Sequence, residues 1–287
     1  MLRPTFGRFS ALLLCLIGVG GNPSPAAAER TDDPTISGGV WASDNKTLHF
    51  RESGRPDAAS DKPLVIFIHG TPGSSSAFDA YLAEPALQRR AHMVAVDRPG
   101  FGQSGSELVT SLEGQARAIA PLLEPATLDR APDTPVILVG HSLGGSIAYQ
   151  IAADYPDRVD GVIAVAASLD PTLGGPRWYN RLASMFMWFV PKDLKAANRE
   201  IMPLGRSLDA LAGKLSAIEA PVTVIHGTED RLVSVRHLDY IREKLAHVDP
   251  KIISEQGGSH FILWQQPTII AESIIDMLGR MRGRDNE

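Results

Sequence analysis

Five stretches of this chain are nearly continuous runs of valine, isoleucine and leucine: "PLVIFIHG" (63–70), "HMVAVD" (92–97), "PVILVG" (135–140), "GVIAVAAS" (161–168) and "PVTVIHG" (221–227). A strand with one wet face alternates apolar and polar residues, so a run without alternation has to be covered on both faces. Two further β-like runs, "TLHFRE" (47–52) and "KIISEQ" (251–256), complete a set of seven. Helical patterns fall between them, around 78–90, 111–124, 143–155, 235–247 and 268–282. Alternation of this kind predicts an α/β fold with a doubly wound, mostly parallel sheet and right-handed crossovers.

One connection is too long for a single crossover helix. Residues 169–219 separate the strand ending at Ser168 from the one starting at Pro221. An excursion leaving the carboxyl end of a parallel strand lies where ligands bind, so 169–219 is expected to form a small helical cap. It splits the core into 45–168 and 220–287. Within it, "PRWYNRLASMFMWFVP" (176–191) places Trp178, Leu182, Met185, Phe186 and Phe189 on one helical face. That face suits packing on the main domain. Met187, Trp188 and Val190 fall elsewhere and point to an acyl pocket or to contact with a lipid surface.

The amino terminus carries Arg3 and Arg8, an apolar run over 11–21, and the small residues Ala26–Ala28. This is the pattern of a secretory signal peptide over 1–28, and it implies a secreted or periplasmic protein. The alternative is an uncleaved membrane anchor, although the run is short for a span of roughly 20 residues. Residues 29–44 read as a flexible lead-in. Cys15 is the single cysteine, so the exported chain has neither a disulfide framework nor a thiol nucleophile. With 44% hydrophobic residues it has the means to stand on its core instead. A net charge of −5 excludes the basic excess of a nucleic-acid binder.

In "ILVGHSLGGSIAYQIA" (137–152), Ser142 stands in a strand-to-helix turn among Gly140, Gly144 and Gly145. The pentapeptide G-x-S-x-G is a weak signal alone and also suits an inert tight turn; the strand before it and the helix after it strengthen the catalytic reading. A serine hydroxyl needs a general base, and the base needs a carboxylate to orient it. His260 lies in the glycine-bearing loop "EQGGSHF" after the last strand, and "VIHGTEDRLVS" delivers Glu229 and Asp230 at a strand's carboxyl end. Asp230 is the favoured acid; Asp170 and Glu229 are its rivals. His49, His92, His237 and His247 sit in or beside regular elements and read as surface or packing residues. "GFGQSG" (100–105) matches G-x-G-x-x-G, but Arg98 and Pro99 stand between it and the strand, and no helix opens at its last glycine. It is not a dinucleotide site.

Together "HGTPG" (69–73), "DRPGFGQS" (97–104), "GHSLGG" (140–145), "HGTEDRLV" (226–233) and "GGSHF" (257–261) resemble the α/β-hydrolase fold superfamily over roughly residues 45–280. The order Ser142, Asp230, His260 is that of its triad. The resemblance implies that "HGTPG" forms part of the oxyanion hole. A tetrahedral intermediate needs two N–H donors: Leu143 supplies one, and Thr71 is the better second because Pro72 has none. The resemblance also implies a cis bond before Pro72 and a structural role for His69, Gly70 and "DRPGFGQS".

The expected function is therefore that of an exported serine hydrolase acting on a small-molecule carboxylic ester through an acyl-enzyme, with no metal or organic cofactor. Serine at 142 argues against the aspartate-nucleophile chemistry of epoxide hydrolases and haloalkane dehalogenases. Carbon–carbon bond hydrolysis, perhydrolysis and acyl transfer share the same triad and remain open, as does a binding protein that has kept the fold.

Overall fold

The computed structural model describes residues 35–43, 46–55, 62–105, 107–176 and 192–284. The signal-like residues 1–28 and the apolar stretch 177–191 of the insertion lie outside the described residues. Among the described residues, no helix is long and apolar enough to cross a membrane.

Eight strands form one sheet: β1 (Ser37–Ser43), β2 (Lys46–Ser53), β3 (Leu64–Ile68), β4 (His92–Val96), β5 (Val136–His141), β6 (Gly161–Val165), β7 (Val222–Gly227) and β8 (Lys251–Glu255). Their spatial order is β1-β2-β4-β3-β5-β6-β7-β8. The pairs β1–β2 and β2–β4 are antiparallel, and the remaining five pairs are parallel. All seven strands expected from the sequence are present. The eighth, β1, corrects the expectation of a flexible lead-in through residue 44. Gly38 and Gly39 disguise it, yet a Cβ on Gly39 would collide with the Phe50 ring across the ladder. The glycine is there for close approach, not for a turn.

The unbroken apolar runs follow from cover on both sides. Along β3, Leu64, Ile66 and Ile68 join one core, while Val65 and Phe67 join the other. The first core packs against α1 (Leu112–Ile119), α2 (Leu143–Asp154), α4 (Leu204–Ala212) and α5 (His237–Lys244). The second lies under Phe78, Tyr81 and Leu82 and the long terminal helix α6 (Pro267–Arg284). Helix α2 is buried from Leu143 to Ala153 and carries small or apolar residues on nearly every side. The helix expected over 78–90 is instead two short ones, Asp79–Leu82 and Pro85–Gln88, because Pro85 starts a new turn capped by the Glu84 side chain.

Of the insertion, α3 (Lys192–Ile201) and α4 are described. Leu204, Leu208 and Leu211 of α4 belong to the same core as the sheet. The second half of the insertion is thus built into the main domain. Its start is also anchored: the N–H groups of Leu169 and Asp170 both donate to Nδ1 of buried His237, at 3.2 and 3.0 Å.

From β3 the chain runs to β4 on one side, then returns to β5 on the other. The crevice between the carboxyl ends of β3 and β5 is therefore the topological switch point, the usual place for a site in an open parallel sheet.

Candidate active site

The turn at Ser142 and the loop carrying His260 meet at that crevice. Ser142 follows β5 with φ 54° and ψ −122°, a left-handed conformation that costs a non-glycine residue about 1–3 kcal/mol. Its surroundings hold it there. Its N–H donates to Val165 O at 2.9 Å, and its carbonyl accepts from Gly145 N at 3.0 Å. A Cβ on Gly144 would strike the Ile68 carbonyl of β3, so only glycine lets α2 start this close to the sheet. The result is a half-buried hydroxyl standing at the first turn of a helix, where unpaired N–H groups favour negative charge.

His260 lies on the loop after β8, and its Nε2 is 3.1 Å from Ser142 Oγ. Its Nδ1 is 2.7 Å from Asp230 Oδ2. A carboxylate only accepts, so Nδ1 carries the proton and Nε2 is left to accept from the serine hydroxyl. Asp230 follows β7, and its Oδ1 accepts from Leu232 N at 2.8 Å and Val233 N at 2.7 Å. Burial pushes this carboxyl's pKa up, but the hydrogen bond and charge interaction with His260, the Val233 N–H and nearby His226 outweigh it, and the net shift is downward. Asp230 is an anion, fully hydrogen-bonded, with its second oxygen aimed at the imidazole.

The rivals for the acid lie elsewhere. Asp170 turns its Oδ1 to the N–H and hydroxyl of Thr172, and Glu229 is exposed. The four histidines read as packing or surface residues have structural contacts: His92 meets Glu52 at 2.7 Å, His247 donates to Ile218 O, His237 pins the insertion, and the His49 backbone pairs with Ser104 and Asp97. "DRPGFGQS" is a turn tied by Asp97, whose two oxygens accept from Ser75 N and Gln103 N at 2.7 and 2.8 Å.

The loop after β3 abuts Ser142. A Cβ on Gly70 would come within 2.9 Å of Ser142 Cβ and 3.1 Å of His141 O. Thr71 follows, and the Thr71–Pro72 bond is cis as expected. Leu143, the first residue of α2, has an N–H with no helical carbonyl to reach. The two expected donor residues are thus the one that follows Ser142 and the one that follows Gly70, which lies against Ser142.

Two residues were visible in the sequence only as letters of motifs. His141 donates Nε2–H to the His260 carbonyl at 3.0 Å and has its ring 5.0 Å from that of His260, so it fixes the backbone that carries the imidazole. His226 donates to Val233 O at 3.0 Å beneath Asp230. Burial, with some repulsion from His260, lowers His141 to about 3, and burial likewise lowers His226. No local pattern separates such residues from ordinary core histidines.

These rings make the fold acid-sensitive. Burial also lowers His69, and it brings His237 to about 4. An unfolded histidine takes a proton near pH ~6.5, so below that the unfolded chain binds more protons than the folded one and stability falls with pH. Each such histidine contributes a slope of up to about 1.4 kcal/mol per pH unit. Thermal unfolding across the pH range should show Tm level above about 7 and falling steeply below about 6. A Tm that stays level down to about pH 5 would mean that the rings take up protons in the folded state.

The α/β hydrolase fold family matches residues 63–200 of the chain. Human monoacylglycerol lipase ABHD6 is 23% identical over 278 residues, which covers 81% of this chain and 79% of that protein. Cfl2 from Burkholderia cenocepacia superimposes with a TM-score of 0.66 at 21% identity, over 85% of this chain and 96% of that one. A loop variant of haloalkane dehalogenase DbeA from Bradyrhizobium elkanii gives a TM-score of 0.63 at 19% identity, over 88% of this chain and 99% of that one. One sheet thus carries lipase and dehalogenase chemistry in different proteins, so the reaction has to be argued from the site. With its eight-stranded sheet, its elbow at Ser142 and these relatives, the chain is a hydrolase and belongs to the α/β-hydrolase superfamily.

Proposed function

We propose that this protein is an exported serine esterase whose triad is Ser142, His260 and Asp230. The observation that carries the reading is the continuous hydrogen-bonded chain from Asp230 Oδ2 through His260, 2.7 Å and then 3.1 Å, to Ser142 Oγ. Ser142 Oγ attacks the carbonyl carbon of an ester as His260 Nε2 takes the hydroxyl proton. The carbonyl oxygen becomes an oxyanion facing the N–H groups of Leu143 and Thr71. When the intermediate collapses, the carbon–oxygen bond to the alcohol breaks, and His260 returns its proton to the leaving alkoxide. Water, deprotonated by the same imidazole, then cleaves the acyl-enzyme to release the acid and restore the serine. Asp230 holds the ring in the tautomer this cycle requires.

An ester with a partly apolar acyl or alcohol group suits the apolar composition of 176–191 and the likeness to a monoacylglycerol lipase. Export is supported by Arg3, Arg8 and the apolar run ahead of Ala26–Ala28, a cleavage point before the first strand at Ser37.

A series of p-nitrophenyl esters of rising acyl length, run on wild type beside Ser142→Ala, tests the reading. Turnover that depends on Ser142 and peaks at one chain length is the expected result, and the peak sizes the acyl pocket. Labelling of Ser142 by a fluorophosphonate without turnover of any ester would keep the nucleophile and overturn the ester. No labelling would overturn the triad itself, leaving a binding protein on this fold.

A further inference from the structure

Glu200 is a carboxylate with 1% of its surface exposed, placed near the end of α3 in the insertion. Its partner is Arg98, 102 residues earlier in the turn after β4 and with no exposed surface at all. Arg98 Nη1 lies 2.6 Å from Glu200 Oε1, and Nη2 lies 3.2 Å from Oε2. Gln115 of α1 adds a further donor to Oε1 at 2.9 Å. The remaining donors of Arg98 grip the loop after β3. Nε donates to His69 O and Nη2 to Gly70 O, each at 2.9 Å, and the Arg98 backbone N–H donates to His69 Nε2 at 3.1 Å. His69 Nδ1 donates to the same Gly70 carbonyl at 2.7 Å.

That carbonyl is significant because it shares a peptide plane with the Thr71 N–H. In a trans peptide, C=O and N–H point in opposite directions. Two donors anchoring Gly70 O therefore fix the direction in which the Thr71 N–H points, and they polarise the amide so that it donates more strongly. Stability alone does not account for such a pair. Desolvating two charges commonly cancels their attraction, and apolar residues of similar volume often serve as well. A guanidinium fork in a fixed plane supplies geometry instead.

We propose that the buried Arg98–Glu200 pair is a positioning device for acyl transfer, aligning the Gly70–Thr71 peptide so that its N–H meets the oxyanion formed at Ser142, and tying that donor to helix α3 of the insertion. This rests on the reading of Ser142 as nucleophile and Thr71 as oxyanion donor. Neither Arg98 nor Glu200 touches substrate. Glu200 acts through Arg98, and Arg98 acts through the loop.

Glu200→Gln keeps the shape and removes the charge that orients the guanidinium. The expected result is a fall of about 30- to 100-fold in kcat on a p-nitrophenyl ester, with KM within about threefold of wild type, short of the full loss of one oxyanion donor. The rate of Ser142 phosphonylation by a fluorophosphonate should fall in parallel, since the P=O oxygen uses the same donors. Arg98→Lys should not rescue the rate, because an ammonium cannot hold both carbonyls and Glu200 at once. If an unpaired Arg98 unfolds the single variant, the double variant Arg98→Met/Glu200→Met removes both charges at similar volume, and it should fold and show the same loss. A folded variant with lowered Tm but unchanged kcat and labelling rate would overturn the proposal and leave a structural tie. Failure of the underlying reading looks different: wild-type Ser142 itself would not be labelled.

Discussion

Replacing His260 with alanine is expected to lower kcat about 10⁶-fold while leaving the fold intact, the scale seen when the histidine of a serine triad is removed alone. The argument is local. Ser142 Oγ has one acceptor in line for its proton, the Nε2 atom 3.1 Å away. The neighbouring His141 cannot substitute, since its Nε2 proton is committed to the His260 carbonyl, and burial first, then His260, lowers its pKa to about 3. A base that weak takes no useful share of a serine proton at neutral pH. The His141 bond is to backbone, so it survives the truncation and the loop should stay where it is. Steady-state kinetics beside a thermal melt checks both halves. A loss of activity matched by a large fall in Tm would mean that the ring is a structural prop.

Asp230→Asn is expected to cost about 10⁴-fold in kcat near neutral pH, because it sets the wrong tautomer rather than breaking the geometry. The hydrogen bonds dictate this outcome. Leu232 N and Val233 N both donate to Oδ1, so an asparagine must place its carbonyl oxygen there and turn its NH₂ toward His260. Facing a donor, Nδ1 has to present its lone pair, and the ring proton moves to Nε2, directly against Ser142 Oγ. The base then points a proton at the group it should deprotonate. Asp230→Ala should lose a comparable amount by leaving the ring unoriented. If Asp230→Asn retained most of its activity, the acid would lie elsewhere, with Asp170 the first residue to examine.

The candidate site was legible in the sequence wherever backbone geometry forced a visible choice. Ser142, Thr71 and His260 stand beside glycines or proline because a strained elbow, a loop pressed on the nucleophile and a return from a strand each limit which residues fit. Asp230 was legible by chain order. The parallel strands showed themselves because alternate side chains enter two cores. Strand β1 did not, since Gly39 meets an aromatic ring contributed by a partner strand and carries no apolar signal of its own. Glu200 was equally hidden. A carboxylate in a charged amphipathic helix looks solvated until the fold brings Arg98 to it across 102 residues. His141 and His226 were present inside motifs, but their work consists of bonds to the backbone of His260 and Val233, which no spacing encodes.

The proposed reacting groups come from the ends of β3, β5, β7 and β8, with Ser142 and His260 118 positions apart in the chain. Contacts this distant close late, after the loop entropy of the intervening segments has been overcome. On the proposed reading, Ser142 should therefore be inert in partly formed states, including those with most of the helix already wound. Reactivity at a single oxygen atom becomes a report on completion of the entire sheet. During refolding it should return with the docking of β7 and β8 and lag behind the recovery of helical circular dichroism.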